Sequence, residues 1–243
     1  MTVQPVDVLA IGAHPDDVEL GCGGTLAALA ARGYTFGICD LTRGEMGTRG
    51  TPETRAEEAA EAARILGAAF RVTLDLGDGG LRTDRDAELA VLDVVRRSRP
   101  RLLFAMHAFD RHADHVRAGR LVRDASFYAG LRALDTGVAA HRPQQVLSFF
   151  ASYAEPPTFV VDVSAVHDRK LAALAAYKSQ FYDAASDEPE TYIAARGFLD
   201  AMIARARALG GQSGVLYAEG FVTDLPPRLD DPVAAFRGYE PGY

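Results

Sequence analysis

Histidine and aspartate residues cluster at two places in the sequence, about a hundred residues apart. The first group is the motif His14-Pro15-Asp16-Asp17, and the second holds three histidines and two aspartates, at positions His107, Asp110, His112, Asp114 and His115. Imidazole nitrogens and carboxylate oxygens are the ligands that zinc takes in hydrolases, where three protein ligands leave a fourth position for water. The two groups together therefore predict one catalytic Zn²⁺ site per chain.

The first motif offers both metal ligands and a candidate general base. His14 and Asp17 would supply two metal ligands, and His115 would supply the third. Asp16 is adjacent to a ligand and free to point at the bound water, so it is the candidate general base. The alternative is that the two aspartates only cap a following helix and that the histidines are solvated loop residues.

His112 and His115 are three residues apart, so on the first turn of a helix they can point to the same side. If His115 binds metal, His112 can face a substrate carbonyl, with Asp114 oriented to keep its imidazole protonated. A charged imidazole there would stabilise a developing oxyanion. Spacing alone equally allows the reverse assignment, with His112 as the ligand and His115 in the core.

Arginines accompany these groups, which indicates an anionic substrate group. The loop 43–51 carries Arg43 and Arg49, Arg55 follows it, and Arg111 lies inside the second cluster. Arginine binds carboxylates bidentately, so all four are candidate substrate-binding residues. For Arg55, an ordinary surface pair with Glu58 on one helix is the alternative.

Alternating strand and helix patterns place these loops at one edge of a sheet. Apolar runs predict strands at 6–12, 34–41, 71–76 and 102–106, and helical patterns predict helices at 25–31, 53–66, 86–97 and 115–131. This alternation predicts an α/β fold, a Rossmann-like three-layer sandwich with a mostly parallel central sheet. Ligands in such sheets bind beyond the carboxyl ends of the strands, where both histidine clusters would lie.

The second half of the chain extends the same pattern. Strands are expected at 146–150, 159–163 and 215–222, and helices at 165–181 and 191–209. We find no internal repeat or linker, so a single domain over residues 1–243 is expected. From Pro226 onward the composition predicts a surface tail.

Composition narrows the class of protein. Acidic residues outnumber basic ones, 33 to 26, which gives a formal charge of -7 and argues against a nucleic-acid binder. No signal peptide is visible and no apolar run approaches the roughly 20 residues that span a bilayer. A cytoplasmic protein with no membrane association is expected, in which Cys22 and Cys39 are small core residues.

The glycine cluster 21–24 offers an alternative function, that of a nucleotide-dependent Rossmann enzyme with Asp40 on the ribose. The pattern fails in detail, because position 26 is Leu26 and the cluster comes well after the first strand. Its expected role is to let the loop 14–17 pack closely against the helix. A non-catalytic zinc-binding protein is a further alternative, against which Asp16 argues, since a structural site needs no spare base.

The two motifs His14–Asp17 and His112–His115 resemble those of the LmbE-like, PIG-L-type zinc N-deacetylases. The resemblance extends to the loop 43–55 and to the segments 177–181 and 217–221. These later segments are similar to the bacillithiol-biosynthesis branch, which deacetylates N-acetylglucosaminyl-malate. Deacetylases of other N-acetylglucosamine compounds, chitooligosaccharides or a mycothiol precursor, are the alternatives.

The resemblance implies the same zinc ligands and the same base, and a trimeric or hexameric enzyme acting on a small N-acetylglucosaminyl substrate. It also implies that Arg55 contacts the acyl product or the sugar. Some relatives carry a functional tyrosine in the region of the helix 191–209. Phe198 occupies that position here, with Tyr192 as the possible substitute.

Overall fold

A seven-stranded sheet lies at the centre of the protein, seen in a computed structural model that describes residues 2–152 and 155–235. Its strands are β1 (Val8–Gly12), β2 (Phe36–Asp40), β3 (Phe70–Thr73), β4 (Leu102–Met106), β5 (Gln145–Phe149), β6 (Phe159–Asp162) and β7 (Ala218–Thr223). The helices are α1 (Asp17–Ala31), α2 (Pro52–Leu66), α3 (Arg85–Ser98), α4 (Ala113–Ala129), α5 (His167–Ala175), α6 (Phe198–Gln212) and α7 (Pro232–Ala235).

The strand order β3-β2-β1-β4-β5-β7-β6 creates a switch point between β1 and β4. The strands β3, β2, β1, β4 and β5 are parallel, whereas β7 is antiparallel to both of its neighbours. Right-handed crossovers put α1 and α2 on one face and α3 and α4 on the other. The observed contacts agree, because α5 packs on α1 and α2 while α3 packs on α4. The predicted fold class is confirmed.

Local sequence signals fix several helix ends. Thr51 accepts a hydrogen bond at its side chain from the backbone of Thr54, 3.2 Å away, and Pro52 is the first residue of α2. Gly67 ends that helix with a φ of 90°. The expected start and end of α2 are therefore confirmed, and Asp84 caps α3 in the same way.

The first helix differs from the prediction, because α1 begins at Asp17 and contains the glycine cluster. A Cβ on Gly21 would lie 2.1 Å from the ring of Phe149, and one on Gly24 would lie 3.0 Å from Val163. The glycines therefore bring α1 close to the sheet, and their expected role as clearance for the preceding loop is wrong. Their place inside a helix also removes the phosphate-binding loop that a dinucleotide site needs.

Other boundaries shift toward shorter elements. The helix expected over 165–181 divides into a 3-10 turn, Ser164–Val166, and α5, which ends at Ala175. α6 begins only at Phe198 and β7 only at Ala218. Both cysteines are free and buried, as expected.

The expected C-terminal tail is described as far as residue 235. Residues 226–235 are exposed, and the rest of the tail lies outside the described residues. Within residues 2–152 and 155–235 we find no helix with the length and apolarity that crossing a bilayer requires.

Candidate metal centre

The first motif lies at the turn from β1 into α1. Asp17 accepts a hydrogen bond at Oδ2 from the backbone N–H of His14, at 2.8 Å. Asp16, at the N-cap of α1, has a φ of 111°, which side chains other than glycine rarely adopt. Such backbone strain is characteristic of functional sites.

The fold brings His14, Asp17 and His115 together, with one ligand atom of each within 4.8 Å of the others. His115 Nε2 lies 3.2 Å from Asp17 Oδ1, and His14 Nδ1 lies 3.3 Å from Asp17 Oδ2. The three residues come from the ends of β1 and the start of α4, which flank the switch point. This is the geometry that the sequence predicts for a shared metal.

Asp110 holds the ring of His115, a role the sequence did not reveal. Its Oδ1 lies 2.9 Å from His115 Nδ1 and accepts a hydrogen bond from the backbone of His112, also at 2.9 Å. Its Oδ2 accepts another from the backbone of Ser152. Carboxylates behind metal-bound imidazoles fix their tautomer and orientation. His115 therefore points Nε2 toward Asp17.

His112 and Asp114 are arranged differently from the expectation. His112 is the N-cap of α4, and its Nδ1 accepts a hydrogen bond from the backbone N–H of Asp114 at 3.2 Å. The Asp114 carboxylate instead accepts hydrogen bonds from the backbone of Leu81 and from Arg117. Burial and the neighbouring histidines lower the pKa of His112, which favours the neutral imidazole over the charged one that the sequence predicts.

Asp78 also belongs to the site, although it lies outside both histidine-containing motifs. Its Oδ1 lies 3.0 Å from His14 Nε2. Asp78 lies in the glycine-rich segment after β3, which ends at the same edge of the sheet as β1. That shared edge was the one sequence signal that could have pointed to it.

The donor set fits a divalent cation. Asp114 Oδ2 is a buried side-chain atom without a hydrogen-bond partner among the described residues. Buried polar groups without partners are costly, and they are typical of sites that receive an ion. A second group, His14, His112 and Asp114, also has ligand atoms within 4.8 Å of one another. Two imidazoles and a carboxylate are a donor set that zinc prefers.

Burial sets the protonation of the neighbouring carboxyls. Burial raises the pKa of Asp16 to about 7, although the guanidinium of Arg55 opposes the shift. Burial would also raise the pKa of Asp17, but the imidazoles of His115 and His14 hold it well below its usual range. The pKa of Asp16 is therefore raised, as suits a general base, whereas the pKa of Asp17 is lowered, as suits a metal ligand.

Arg55 is buried beside Asp16 and makes no pair with Glu58. Its Nη2 donates to the carbonyl of Pro15 at 2.7 Å and lies 3.3 Å from Asp16 Oδ2, while Nη1 donates to the carbonyl of Gly44. Glu58 accepts hydrogen bonds from Ser179 instead. The surface-pair alternative for Arg55 is therefore wrong.

A cleft of about 480 Å³ opens over these residues. Arg49 and Arg111 line it, as do Tyr192 and Phe198. Arg49 is paired with Glu188, whereas the guanidinium of Arg111 lies 4.0 Å from the ring centroid of Tyr192. Arg43 is not among the lining residues and pairs with Glu53 on the surface, so the structure does not bring it to the site.

Fold and site together define an α/β protein with a group of residues that could hold a metal ion at the switch point of its sheet. Residues 9–126 match the family PIG-L: GlcNAc-PI de-N-acetylase. The chain is 32% identical over 227 residues to diacetylchitobiose deacetylase of Thermococcus kodakarensis, covering 88% of this chain and 81% of that protein. The chain therefore belongs to the PIG-L family, which confirms the resemblance seen in the sequence.

The chain is also similar to two further proteins. The conserved protein TT1542 from Thermus thermophilus is 43% identical, with a TM-score of 0.85, covering 93% of this chain and 98% of that one. The chain is also 29% identical over 192 residues to 4-oxalmesaconate hydratase of Pseudomonas putida, covering 72% of this chain and 74% of that protein. The proteins to which this chain is similar thus include one named as a deacetylase and one named as a hydratase.

Proposed function

We propose that the protein is a zinc-dependent N-deacetylase that removes the acetyl group from an N-acetylglucosamine unit in a small conjugate. The observation that carries this proposal is the ligand cluster of His14, Asp17 and His115 with the strained, buried Asp16 beside it. Membership of the PIG-L family supports it, as does the similarity to a deacetylase of diacetylchitobiose.

Asp16 acts as the general base in this proposal. Bound zinc would polarise the amide carbonyl and lower the pKa of the attacking water. Asp16 accepts the proton from that water, since a carboxyl with a pKa of about 7 is a base matched to neutral pH. It then returns the proton to the leaving amine, so that water and the amide become acetate and a free amine. Arg55 keeps Asp16 in position through its contacts with both Asp16 and Pro15.

His112 stabilises the oxygen on which negative charge develops. Its Nδ1 accepts a hydrogen bond from Asp114, so the proton of the neutral ring is on Nε2. A neutral imidazole can donate that N–H to the carbonyl oxygen without being charged. Asp114 then acts through its backbone, while its carboxylate keeps the start of α4 next to Leu81.

The arginines of the cleft indicate which group is attached to the sugar of the substrate. Arg49 and Arg55 already face Glu188 and Asp16. Among the described residues, no carboxylate forms an ion pair with Arg111, so it is the lining arginine available to an anion. N-acetylglucosaminyl-malate is therefore the first substrate to test, with Arg111 on its carboxylates. A neutral second sugar, as in diacetylchitobiose, would instead stack on Tyr192.

Acetate release tests the proposal directly. The metal-free protein and the zinc-restored protein are compared on N-acetylglucosaminyl-malate, diacetylchitobiose, N-acetylglucosaminyl-inositol and N-acetylglucosamine. We expect zinc-dependent acetate from at least one conjugate and less from the free sugar. Absence of acetate from all four would contradict the proposal.

The similarity to 4-oxalmesaconate hydratase favours a second candidate, the addition of water to an unsaturated carboxylate. The same base and metal would serve that reaction, with Arg111 on the carboxylate. Loss of absorbance from a conjugated dicarboxylate, without acetate release from any amide, would identify this function instead.

A further inference from the structure

The glycine-rich segment 77–80 places one carboxylate behind the first predicted metal ligand. We propose that Asp78 is a positioning residue, which fixes the imidazole of His14 so that the ring presents Nδ1 to the metal. The inference rests on the proposed metal-dependent function. It assigns a task to a residue that neither of the two histidine-containing motifs includes.

Asp78 is held firmly enough to orient another side chain. Its Oδ2 accepts a hydrogen bond from the backbone N–H of Met46 at 2.8 Å, and its Oδ1 accepts one from Gly79 at 2.7 Å. Its own backbone N–H donates to Glu45 Oε1 at 2.8 Å. The side chain is only 7% exposed. Two hydrogen bonds to the carboxylate, a third from the backbone N–H and burial therefore hold this side chain in place.

The two nitrogens of His14 face different surroundings. Nδ1 lies 3.3 Å from the Oδ2 atom of Asp17, the carboxylate of the ligand cluster. Nε2 is buried and lies 3.0 Å from Asp78 Oδ1 and 3.8 Å from Asp114 Oδ2. Two carboxylates near Nε2 favour the proton on that nitrogen, which leaves the lone pair of Nδ1 for a metal.

His115, on the other side of the switch point, also has one ring nitrogen next to a carboxylate outside the cluster and the other next to Asp17. Asp110 backs its Nδ1 at 2.9 Å, and its Nε2 faces Asp17. Each imidazole of the cluster thus has a carboxylate behind it, supplied by a different loop. Carboxylates in this place orient ligand rings and raise their basicity.

Asp78 also connects the metal ligand to the wall of the cleft. Met46 lines the cleft, and both Met46 and Glu45 are hydrogen bonded to Asp78. Glu45 in turn accepts a hydrogen bond from the backbone of Arg43. The loop 43–51 and the ring of His14 are therefore fixed by one carboxylate, and loss of Asp78 should loosen both.

Zinc affinity, measured by competition with a chromophoric chelator, tests the inference without an activity assay. Asp78→Ala should weaken zinc binding by about 10- to 100-fold, the usual cost of losing such a partner. Asp78→Asn keeps an oxygen acceptor for Nε2–H and should have an intermediate affinity. Asp75→Asn changes an exposed carboxylate three residues before Asp78, and this variant should bind zinc as the wild type does.

The visible spectrum of the Co²⁺-substituted protein gives a second readout, because it reports on the geometry of the ligands. Asp78→Ala should shift this spectrum while thermal melting shows a folded protein. Wild-type zinc affinity and an unchanged Co²⁺ spectrum in Asp78→Ala would overturn the inference. Loss of zinc as complete as in His14→Ala would overturn it as well, since Asp78 would then be a ligand.

The His14→Ala variant separates this inference from the proposed function. If His14→Ala binds zinc as tightly as the wild type, the proposed metal site itself is wrong. If His14→Ala loses zinc and Asp78→Ala does not, only the role of Asp78 is wrong.

Discussion

At the scale of single residues, Asp16 carries the sharpest prediction. Asp16→Asn removes the base but keeps the size of the side chain and leaves His14, Asp17 and His115 intact. We expect zinc content to stay at the wild-type level and turnover to fall at least about a hundredfold, the low end for loss of a general base. Zinc analysis and acetate release measure the two quantities. Wild-type turnover in this variant would remove Asp16 from the mechanism.

Arg111 carries the prediction on specificity. Arg111→Gln removes the lining cation that has no carboxylate partner among the described residues but keeps a polar side chain. We expect KM for N-acetylglucosaminyl-malate to rise about tenfold or more, since hydrogen bonds to charged groups contribute roughly 1.5–3 kcal/mol. KM for diacetylchitobiose should stay within about twofold. An equal rise for both substrates would show that Arg111 does not recognise an anion.

The proximity of the three proposed ligands was predictable from sequence because both motifs directly follow apolar strands. That position alone places His14, Asp17 and His115 at one edge of the sheet. The roles of Asp110 and Asp78 were not predictable in this way. Which carboxylate backs which imidazole depends on ring rotation and on the path of the segment 77–80, and no local pattern in the sequence records either.

At the scale of elements, α1 is the helix whose start hydrophobic periodicity did not predict. Periodicity identifies a helix by its polar face, but residues 17–28 of α1 are all buried. The sheet lies against one side of α1, while α5 and α2 pack on others. The glycines that interrupt the helical pattern are the residues that permit this packing. For this reason the sequence predicted a helix only from residue 25, whereas α1 begins at Asp17.

This packing can be tested with two matched substitutions in α1. Gly21→Ala puts a Cβ 2.1 Å from the buried ring of Phe149, whereas Gly23→Ala puts one 3.7 Å from Leu66. Both gain the same helix propensity. We expect Gly21→Ala to lower the free energy of unfolding by about 1–3 kcal/mol through overpacking. Gly23→Ala should be neutral or stabilising by up to about 1 kcal/mol.

Urea denaturation followed by circular dichroism measures both variants. Equal midpoints for Gly21→Ala and Gly23→Ala would mean that α1 does not pack against β5 as closely as described.

At the scale of the whole molecule, buried ion pairs join the elements that carry the site. Lys170 of α5 lies 2.6 Å from Glu219 of β7, which also accepts hydrogen bonds from the backbone of Gly24 and Thr25 in α1. Glu219 lies in the segment 217–221, one of those that resemble the deacetylases. Its contacts hold α1, and through it Asp17, against the sheet. This segment therefore positions the proposed metal site from a distance.

Protonation of the whole ligand cluster links pH to metal binding. Burial would lower the pKa of His115, but Asp17 and Asp110 raise it to about 9, and the carboxylates around His14 raise its pKa well above 6.5. Without metal, the stability that these raised pKa values contribute is fully present below pH 6.5. It is lost as the pH rises through about 9. The metal-free protein should therefore melt at lower temperature at pH 9 than at pH 6.5.

Zinc must displace those protons, so its affinity should change in the opposite direction with pH. We expect zinc to bind roughly tenfold more tightly or better at pH 8.5 than at pH 7, because at least one imidazole proton is released on binding. The rise in melting temperature on adding zinc should grow over the same range, since binding to the folded state stabilises it by mass action. Chelator competition and thermal melting measure the two effects. Because His115 supplies one of the protons, an affinity that does not vary with pH would exclude it from the ligand set.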